Sequence, residues 1–242
     1  MMSFLKIKDY KESLCIIKDS IQSQELTSDD INTLVSFFDN ERPNYASGQK
    51  LELGGILLSH VEIAELTQRQ AETLQSEIES DHDVVLFWSK WSAKEYVAQL
   101  SQHLQSIISN SVKNIGINTR WIKEGTVAVL EELKIIPKSD DLVYCVDFLT
   151  GSGGTLKCLH DLLVVNQIGV QKTLVMIDKP TPDKVFSPPL IDPYMVVDDD
   201  YWIFGYGSDC RIGGAEIGRN LPFLACLVPE GQGIRDKLIT DI

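Results

Sequence analysis

The sequence predicts an α/β protein with a mainly parallel, twisted sheet and helices on both faces. Two observations support this fold class. Short apolar runs such as Val84–Trp88, Leu142–Leu149 and Lys172–Asp178 alternate along the chain with amphipathic segments. A glycine-rich turn also joins one of these runs directly to a helical segment. Strands that alternate with helices favour parallel pairing, and ligands of such sheets bind at the carboxyl ends of the strands.

The chain is organised around residues 142–162, where the apolar run Leu142–Leu149 is followed by Thr150-Gly151-Ser152-Gly153-Gly154-Thr155. Glycines let the backbone take positive φ and approach a ligand closely. Free N–H groups at the start of a helix, with hydroxyls beside them, suit a phosphate group. No Gly-Lys-Ser/Thr follows, which excludes a Walker loop. The turn therefore indicates either a phosphate-binding loop or a plain strand-to-helix connection.

The remaining elements follow in order. We expect a helical extension over residues 1–50, ending in the polar linker Asn40–Lys50, and a second domain over residues 51–242. The extension is either a partner-binding piece or a packing addition. Further predicted elements are strand Gly55–Leu58, helix Ser59–Ser80 with a Ser59–Glu62 capping box, helix Ala93–Ser109, strand Lys113–Ile122, a helix or strand over Thr126–Leu133, helix Thr155–Asn166, a proline-rich loop from Pro180 to Pro193, and strands Trp202–Tyr206 and Phe223–Val228.

Composition excludes several classes of protein. The chain has 242 residues, 43% of them hydrophobic, and a net charge of −13, which argues against nonspecific nucleic-acid binding. It has no apolar run of about 18 residues, so we expect no membrane span. The N-terminus lacks a signal-peptide core. The five cysteines show no CxxC spacing and indicate free thiols in a reducing cytoplasm.

The glycine-rich turn resembles the phosphoribosyl diphosphate loop of type I phosphoribosyltransferases. That loop has two acidic residues, two apolar residues, Asp, Ser or Thr, Gly, any residue, and Thr. Asp147 stands at the first acidic position, and Ser152, Gly153 and Thr155 match the phosphate cradle. Gly151 stands where the family has its catalytic Asp.

Later segments resemble bacterial hypoxanthine-guanine phosphoribosyltransferases. Met176–Pro180 is similar to their Leu-Leu-Asp-Lys-Pro, Trp202–Asp209 to their Phe-Val-Val-Gly-Tyr-Gly-Leu-Asp, and Arg219–Phe223 to their Arg-Asn-Leu-Pro-Tyr. The strand at Ile56 and the segment Ser59–Ile63 are similar to their first strand and helix. The order and rough spacing agree over residues 54–230, which implies the type I phosphoribosyltransferase fold.

The resemblance implies roles for individual residues. Lys179 matches the lysine that bonds the purine 6-oxo group, and Lys90 and Arg219 match residues that contact diphosphate. Asp147 and Asp200 match ligands of Mg²⁺, the expected cofactor. The purine stacks on Tyr194 or, in a gap-free alignment, lies at Pro193. The implied substrate-binding residues are Thr150, Gly151, Ser152, Gly153, Gly154, Thr155, Lys179 and Tyr194, and the implied catalytic residues are Asp147, Lys90 and Arg219.

Five departures separate the chain from the family pattern. Gly151 has no group to handle the proton on purine N7, and Phe148 replaces the second acidic residue. Trp91 follows Lys90 where the family has a small residue. The flexible catalytic loop before Leu142 is shorter than usual, and residues 211–214 form an insertion.

These observations support three hypotheses. The first is a divergent purine phosphoribosyltransferase, cytoplasmic, that joins phosphoribosyl diphosphate to hypoxanthine, guanine or xanthine. The second is a weak or inactive relative that senses a nucleotide or phosphoribosyl diphosphate, and the third is a scaffold without a ligand. The resemblance also implies a homo-oligomer, a dimer or a tetramer, with neither nucleic acid nor membrane as a partner.

Overall fold

The structure is a computed structural model that describes residues 51–78, 82–121, 127–129, 133, 135–182, 184–187, 190–191, 193, 195–197, 201–208, 210–212, 215–217, 221 and 223–229. The predicted helical extension over residues 1–50 lies outside these residues, so the domain boundary at residue 50 stays a prediction. Contacts divide the described residues into two compact units, one of residues 51–63 and 201–229 and the other of residues 64–197.

The described elements alternate between strand and helix in the first two thirds of the chain and are strands thereafter. In order they are β1 (Leu51–Leu58), α1 (His60–Glu77), β2 (Val84–Ser89), α2 (Lys94–Ile107), β3 (Val112–Ile117), β4 (Thr119–Trp121), β5 (Val127–Val129), β6 (Leu142–Thr150), α3 (Gly154–Val165), β7 (Lys172–Asp178), β8 (Leu190–Ile191), β9 (Met195–Val196), β10 (Trp202–Gly205), β11 (Cys210–Ile212), β12 (Ala215–Ile217) and β13 (Leu224–Pro229).

A parallel sheet forms the centre of the larger unit. Its strand order is β3-β2-β6-β7-β8, and β9 also pairs with β7. Every pair in this sheet is parallel, as the alternation of strands and helices predicted. The carboxyl ends of β2, β6 and β7 therefore meet at one edge of the sheet, where the candidate residues follow them.

Helices pack on both faces of this sheet. On one face, Leu156, Leu159 and Leu163 of α3 pack against strand residues such as Phe87 and Cys145. On the other face, Tyr96 of α2 makes an edge contact with Phe148 of β6, with ring centroids 5.9 Å apart. Successive strand residues point to opposite faces, so β6 is covered on both sides. This explains its continuous apolar sequence.

The smaller unit contains an antiparallel sheet of order β1-β13-β10. The predicted strand at Gly55–Leu58 is correct but too short, because β1 begins at Leu51 and pairs with β13 along that length. The strands β11 and β12 pair as an antiparallel hairpin within the predicted insertion.

Three further predictions are resolved by the strand pairing. The single strand predicted over Lys113–Ile122 is wrong, because β3 ends at Ile117 beside β2, whereas β4 pairs with β5. The same pairing makes Val127–Val129 a strand, the alternative that the sequence left open. The proline-rich loop contains the short strand β8, beside Thr173 and Leu174 of β7.

The amino end of α1 confirms the predicted capping box. The Glu62 carboxylate accepts hydrogen bonds from the N–H and the hydroxyl of Ser59, at 2.8 and 2.7 Å. The N–H of Glu62 donates to Ser59 Oγ at 3.3 Å.

Among the described residues, no helix is long and apolar enough to cross a membrane. Cys145, Cys158 and Cys226 form no disulfide bond.

Candidate active site

The glycine-rich turn joins the carboxyl end of β6 to the amino end of α3. β6 ends at Thr150, and α3 begins after its cap residue Gly153, which is left-handed with φ 79°. The carbonyl group of Phe186 lies so close to Gly153 that a Cβ atom there would overlap it. Position 153 therefore requires glycine for both conformation and space. The first N–H groups of α3 have no partner within the helix, which makes this end suitable for an anion.

The segment that follows β7 is fixed to this turn through the backbone. The N–H of Lys179 donates to the carbonyl of Thr150 at 2.8 Å, and the N–H of Val185 donates to the carbonyl of Ser152 at 2.8 Å. Both bonds tie residues 179–187 to the glycine-rich turn. The structure thus brings Lys179, the predicted purine contact, next to the predicted phosphate loop.

An ion pair that the sequence analysis did not predict links the end of β7 to the segment that follows it. Lys184 Nζ lies 2.7 Å from Asp178 Oδ1, and both side chains are 17% exposed. Asp178 is the last residue of β7, and it lies beside Thr150 in the parallel register. The i, i+6 spacing of this pair in a loop has no regular sequence signal, which is why the pattern of charges did not predict it.

The Lys90 loop follows the carboxyl end of β2. The Lys90 side chain is exposed, and its backbone N–H donates to the carbonyl of Ile117 at 3.0 Å. A Cβ atom on Gly116 would meet Lys90 Cγ at 2.8 Å and Trp88 Cζ2 at 2.9 Å. Gly116 therefore leaves the space in which the Lys90 stem lies. Trp91, the bulky residue after the lysine, is 55% exposed.

Asp147, the predicted first acidic residue, is 3% exposed in β6. Its Oδ1 accepts hydrogen bonds from the hydroxyl of Ser92 at 2.8 Å and from the N–H of Phe148 at 2.9 Å. Burial raises the pKa of Asp147 to about 6, against the lowering effect of these two hydrogen bonds. The side chain is thus close to the Lys90 loop, to which Ser92 belongs.

Phe148, at the second acidic position of the resemblance, is a core residue. It is fully buried and makes an edge contact with the ring of Tyr96. The position is therefore filled by packing, and a carboxylate there would face apolar side chains instead of solvent.

Position 151, which the sequence resemblance aligns with an Asp, has room for a side chain. The backbone of Gly151 lies outside the left-handed region. The nearest atom to a Cβ atom placed there is Thr181 Cγ2, at 3.8 Å, which is ordinary van der Waals contact. The absence of a carboxylate at position 151 is thus a feature of the sequence, and the local backbone does not require it.

Two buried hydroxyls adjoin the turn without a hydrogen-bond partner among the described residues. They are Thr150 Oγ1 and Thr181 Oγ1. Buried polar atoms are nearly always paired, so each stands out. Thr181 was not predicted as a site residue, and its position two residues after Lys179 is the one signal that could have drawn attention to it.

Three predicted site residues, Arg219, Asp200 and Tyr194, lie outside the described residues. Pro193, the alternative at the purine position, is described and partly buried. The roles of all four residues stay predictions.

Comparisons with known proteins show similarity in sequence and in overall fold. No family model matches the chain. The hypoxanthine-guanine phosphoribosyltransferase of Aquifex aeolicus is 26% identical over 177 residues, which are 72% of this chain and 93% of that protein. A crystal structure of a hypoxanthine-guanine phosphoribosyltransferase from Bacillus anthracis, with HEPES in its active site, has a TM-score of 0.60 at 26% identity over 74% of this chain and 99% of its own.

A third comparison supports the fold alone. The hypoxanthine phosphoribosyltransferase of Trypanosoma cruzi, in complex with its product IMP, matches with a TM-score of 0.58 and 20% identity, over 74% of this chain and 96% of its own. Together, the sheet and the similar proteins define an α/β protein with the type I phosphoribosyltransferase fold. More narrowly, the chain is similar to hypoxanthine-guanine phosphoribosyltransferases over about three quarters of its length, at the low identity of 26%.

Proposed function

We propose that the chain is a purine phosphoribosyltransferase that transfers the 5-phosphoribosyl group of phosphoribosyl diphosphate to an oxo purine, in purine salvage. The observation that carries this proposal is the hydrogen bond from Lys179 N–H to the Thr150 carbonyl. It joins a candidate base-binding lysine to a candidate phosphate loop at the carboxyl end of a parallel sheet, where ligands of such sheets bind. The names of the similar proteins support the same activity.

Different residues of the chain contact different parts of the two substrates. The N–H groups of Gly154 and Thr155, with the hydroxyls of Ser152 and Thr155, bind the 5-phosphate. The ammonium group of Lys90 neutralises charge on the diphosphate, with Arg219 as a second contact. Lys179 donates a hydrogen bond to the 6-oxo group, which favours hypoxanthine, guanine or xanthine over an amino purine. Tyr194 or Pro193 lies against the purine ring.

In the transfer, a purine nitrogen forms a bond to the anomeric carbon of the ribose as the bond from that carbon to diphosphate breaks. Negative charge develops on the leaving diphosphate, and fixed cationic groups stabilise it. Gly151 offers no acid or base for the proton that the purine loses in this step, so the proton passes to solvent or to the departing diphosphate. General acid–base help of roughly 10²–10⁴-fold is therefore missing, unless another group supplies it, and catalysis is mainly electrostatic.

Mg²⁺ is the proposed cofactor. The described residues contain no cluster of three or more His, Cys, Asp or Glu side chains that could hold a metal. Mg²⁺ usually keeps several waters and binds one or two carboxylates plus substrate phosphates, so a protein cage is not required. Asp147 fits this arrangement, because both described hydrogen bonds to its carboxylate end on Oδ1. Asp200 is the second candidate ligand, and the ion would neutralise charge on the diphosphate.

The proposal is tested by incubating the wild-type chain with phosphoribosyl diphosphate, Mg²⁺ and hypoxanthine, guanine or xanthine. We expect formation of the corresponding nucleotide. Calorimetry with a purine 5′-monophosphate tests the binding step separately, and Thr155→Val is expected to weaken that binding clearly. Neither turnover nor nucleotide binding up to millimolar concentration would refute the proposal and leave the scaffold hypothesis.

A second candidate function is a nucleotide or phosphoribosyl diphosphate sensor. Gly151 and Phe148 favour it, because one lacks a proton-transfer group and the other is committed to the core. Binding of the nucleotide without turnover would identify a sensor. A cytoplasmic location, assembly into a dimer or tetramer, and the role of the first 50 residues stay predictions.

A further inference from the structure

A side-chain hydrogen bond connects the Lys90 loop to the strand that precedes the glycine-rich turn. Ser92 Oγ donates to Asp147 Oδ1 at 2.8 Å, between residues 55 positions apart in the sequence. The acceptor oxygen also receives the N–H of Phe148 at 2.9 Å, and the Asp147 side chain is buried. Hydrogen bonds to a carboxylate are stronger than neutral ones, and partial burial of this bond limits competition from water.

The other side of the Lys90 loop is held by β3 and by its own turn. Lys90 N–H donates to the Ile117 carbonyl at 3.0 Å, and the N–H groups of Ser92 and Ala93 donate to the Ser89 carbonyl at 3.3 Å. These bonds fix the backbone near β2 and β3. Ser92 and Asp147 supply the hydrogen bond that reaches across to β6, on the opposite side of β2 from β3.

We propose that Ser92 is a positioning residue that, through its hydrogen bond to Asp147, holds the Lys90 loop in place for the diphosphate group of the substrate. This inference rests on the proposed function. It gives Asp147 two tasks on separate oxygen atoms, because Oδ1 accepts from Ser92 whereas Oδ2 is left for the ribose or for Mg²⁺. The distance between the diphosphate and ribose contacts is thereby set by this side-chain pair together with the pairing of β2 and β6.

Substitutions at Ser92 and Asp147 test separately the hydroxyl donor and the charge of the acceptor. Ser92→Ala removes the donor and leaves the carboxylate intact, whereas Ser92→Thr restores a hydroxyl. Asp147→Asn keeps an oxygen acceptor for Ser92 and removes the negative charge. Ser101→Ala is a matched control, because Ser101 in α2 donates a similar hydrogen bond to Asn114 Oδ1 at 2.7 Å on an exposed surface.

The hydrogen bond between Ser92 and Asp147, here called the latch, can be tested independently of activity by hydrogen–deuterium exchange. In Ser92→Ala we expect the amides of residues 90–93 to exchange roughly tenfold faster, which corresponds to the loss of one hydrogen bond to a charged group. Ser92→Thr should keep slow exchange, Asp147→Asn should exchange at an intermediate rate because its hydrogen bond is neutral, and Ser101→Ala should leave these amides unchanged. Unchanged exchange in Ser92→Ala overturns the latch.

Steady-state kinetics measure the positioning role. In Ser92→Ala we expect KM for phosphoribosyl diphosphate to rise roughly tenfold, with KM for the purine unchanged and recovery in Ser92→Thr. An equal rise in both KM values, or none, overturns the role even where exchange is faster. Absence of turnover and of nucleotide binding in the wild-type chain refutes the proposed function and this role with it, whereas the exchange measurement still decides the latch.

Discussion

The glycine-rich turn and the acidic segment of β6 lie next to each other in the sequence and differ in what their environment demands. At Gly153 the left-handed backbone and the Phe186 carbonyl admit glycine alone. At Gly151 the backbone is ordinary and a Cβ atom has space, whereas Phe148 is part of the core. Geometry therefore restricts position 153 to glycine and leaves position 151 open to other side chains. A residue of the second kind can change without disturbing the backbone of the turn.

The largest effect is expected from Phe148→Asp. It buries an unpaired carboxylate against Tyr96 and removes a fully buried ring, which should cost about 4 kcal/mol or more of unfolding free energy. Urea denaturation measures this loss. Phe148→Leu is the control, with an expected cost of about 1–2 kcal/mol. A stable Phe148→Asp protein would show that position 148 can still hold a carboxylate. It would contradict the conclusion that packing fills this position.

Gly153→Ala should have the next largest effect. The left-handed backbone and the overlap with the Phe186 carbonyl should together cost about 2–4 kcal/mol and abolish nucleotide binding in calorimetry. Gly169→Ala is a matched control, because nothing lies within 4 Å of a Cβ atom there and its backbone is not left-handed. We expect the control to change stability by less than about 0.5 kcal/mol. Equal effects of the two changes would contradict the packing argument.

Gly151→Asp sharpens the comparison by returning an acid where there is space for one. We expect kcat to rise roughly 10-fold, less than the full range of about 10²–10⁴ for general acid–base catalysis. Gly151→Asn is the control, since it has the same shape without a titratable group. An equal gain in both variants would indicate better binding geometry instead of proton transfer. No gain in either would mean that the wild-type chain uses another acid or lacks the transferase reaction, and wild-type turnover separates these two cases.

Gly116→Ala is expected to have the smallest effect. Its Cβ atom would displace the Lys90 stem and the Trp88 ring, so KM for phosphoribosyl diphosphate should rise about threefold, or roughly 0.6 kcal/mol. KM for the purine should stay at the wild-type value, because Lys179 lies on a different strand end. A change confined to the purine would contradict the placement of Lys90 at the diphosphate.

Local features of the site were predictable, and nonlocal ones were not. The turn, the helix that begins at Gly154 and the capping box of Ser59 and Glu62 depend on a few neighbouring residues, and the sequence contains those signals. The hydrogen bond from Ser92 to Asp147 depends on two strands meeting, which no local pattern specifies. The burial of Phe148 was hidden for the same reason, since an apolar residue in a strand does not reveal which helix covers it.

The strand that pairs with β13 could not be predicted from the sequence either. The run Phe223–Val228 predicted a strand, and only its pairing with β1 places the first and last described strands of the chain side by side. Antiparallel and parallel neighbours differ in connection and in register, and an apolar run of this length is compatible with both.

The two backbone hydrogen bonds from Lys179 and Val185 to the glycine-rich turn have a consequence for the order of folding. The carbonyls of Thr150 and Ser152 receive their partners from residues on the far side of α3 and β7. Contacts between distant parts of a chain form late, because closing the intervening segment costs conformational entropy before the contact is made. The glycine-rich turn of a nascent chain therefore takes its final shape only together with the pairing of β6 and β7, and not before residue 185 has been synthesised.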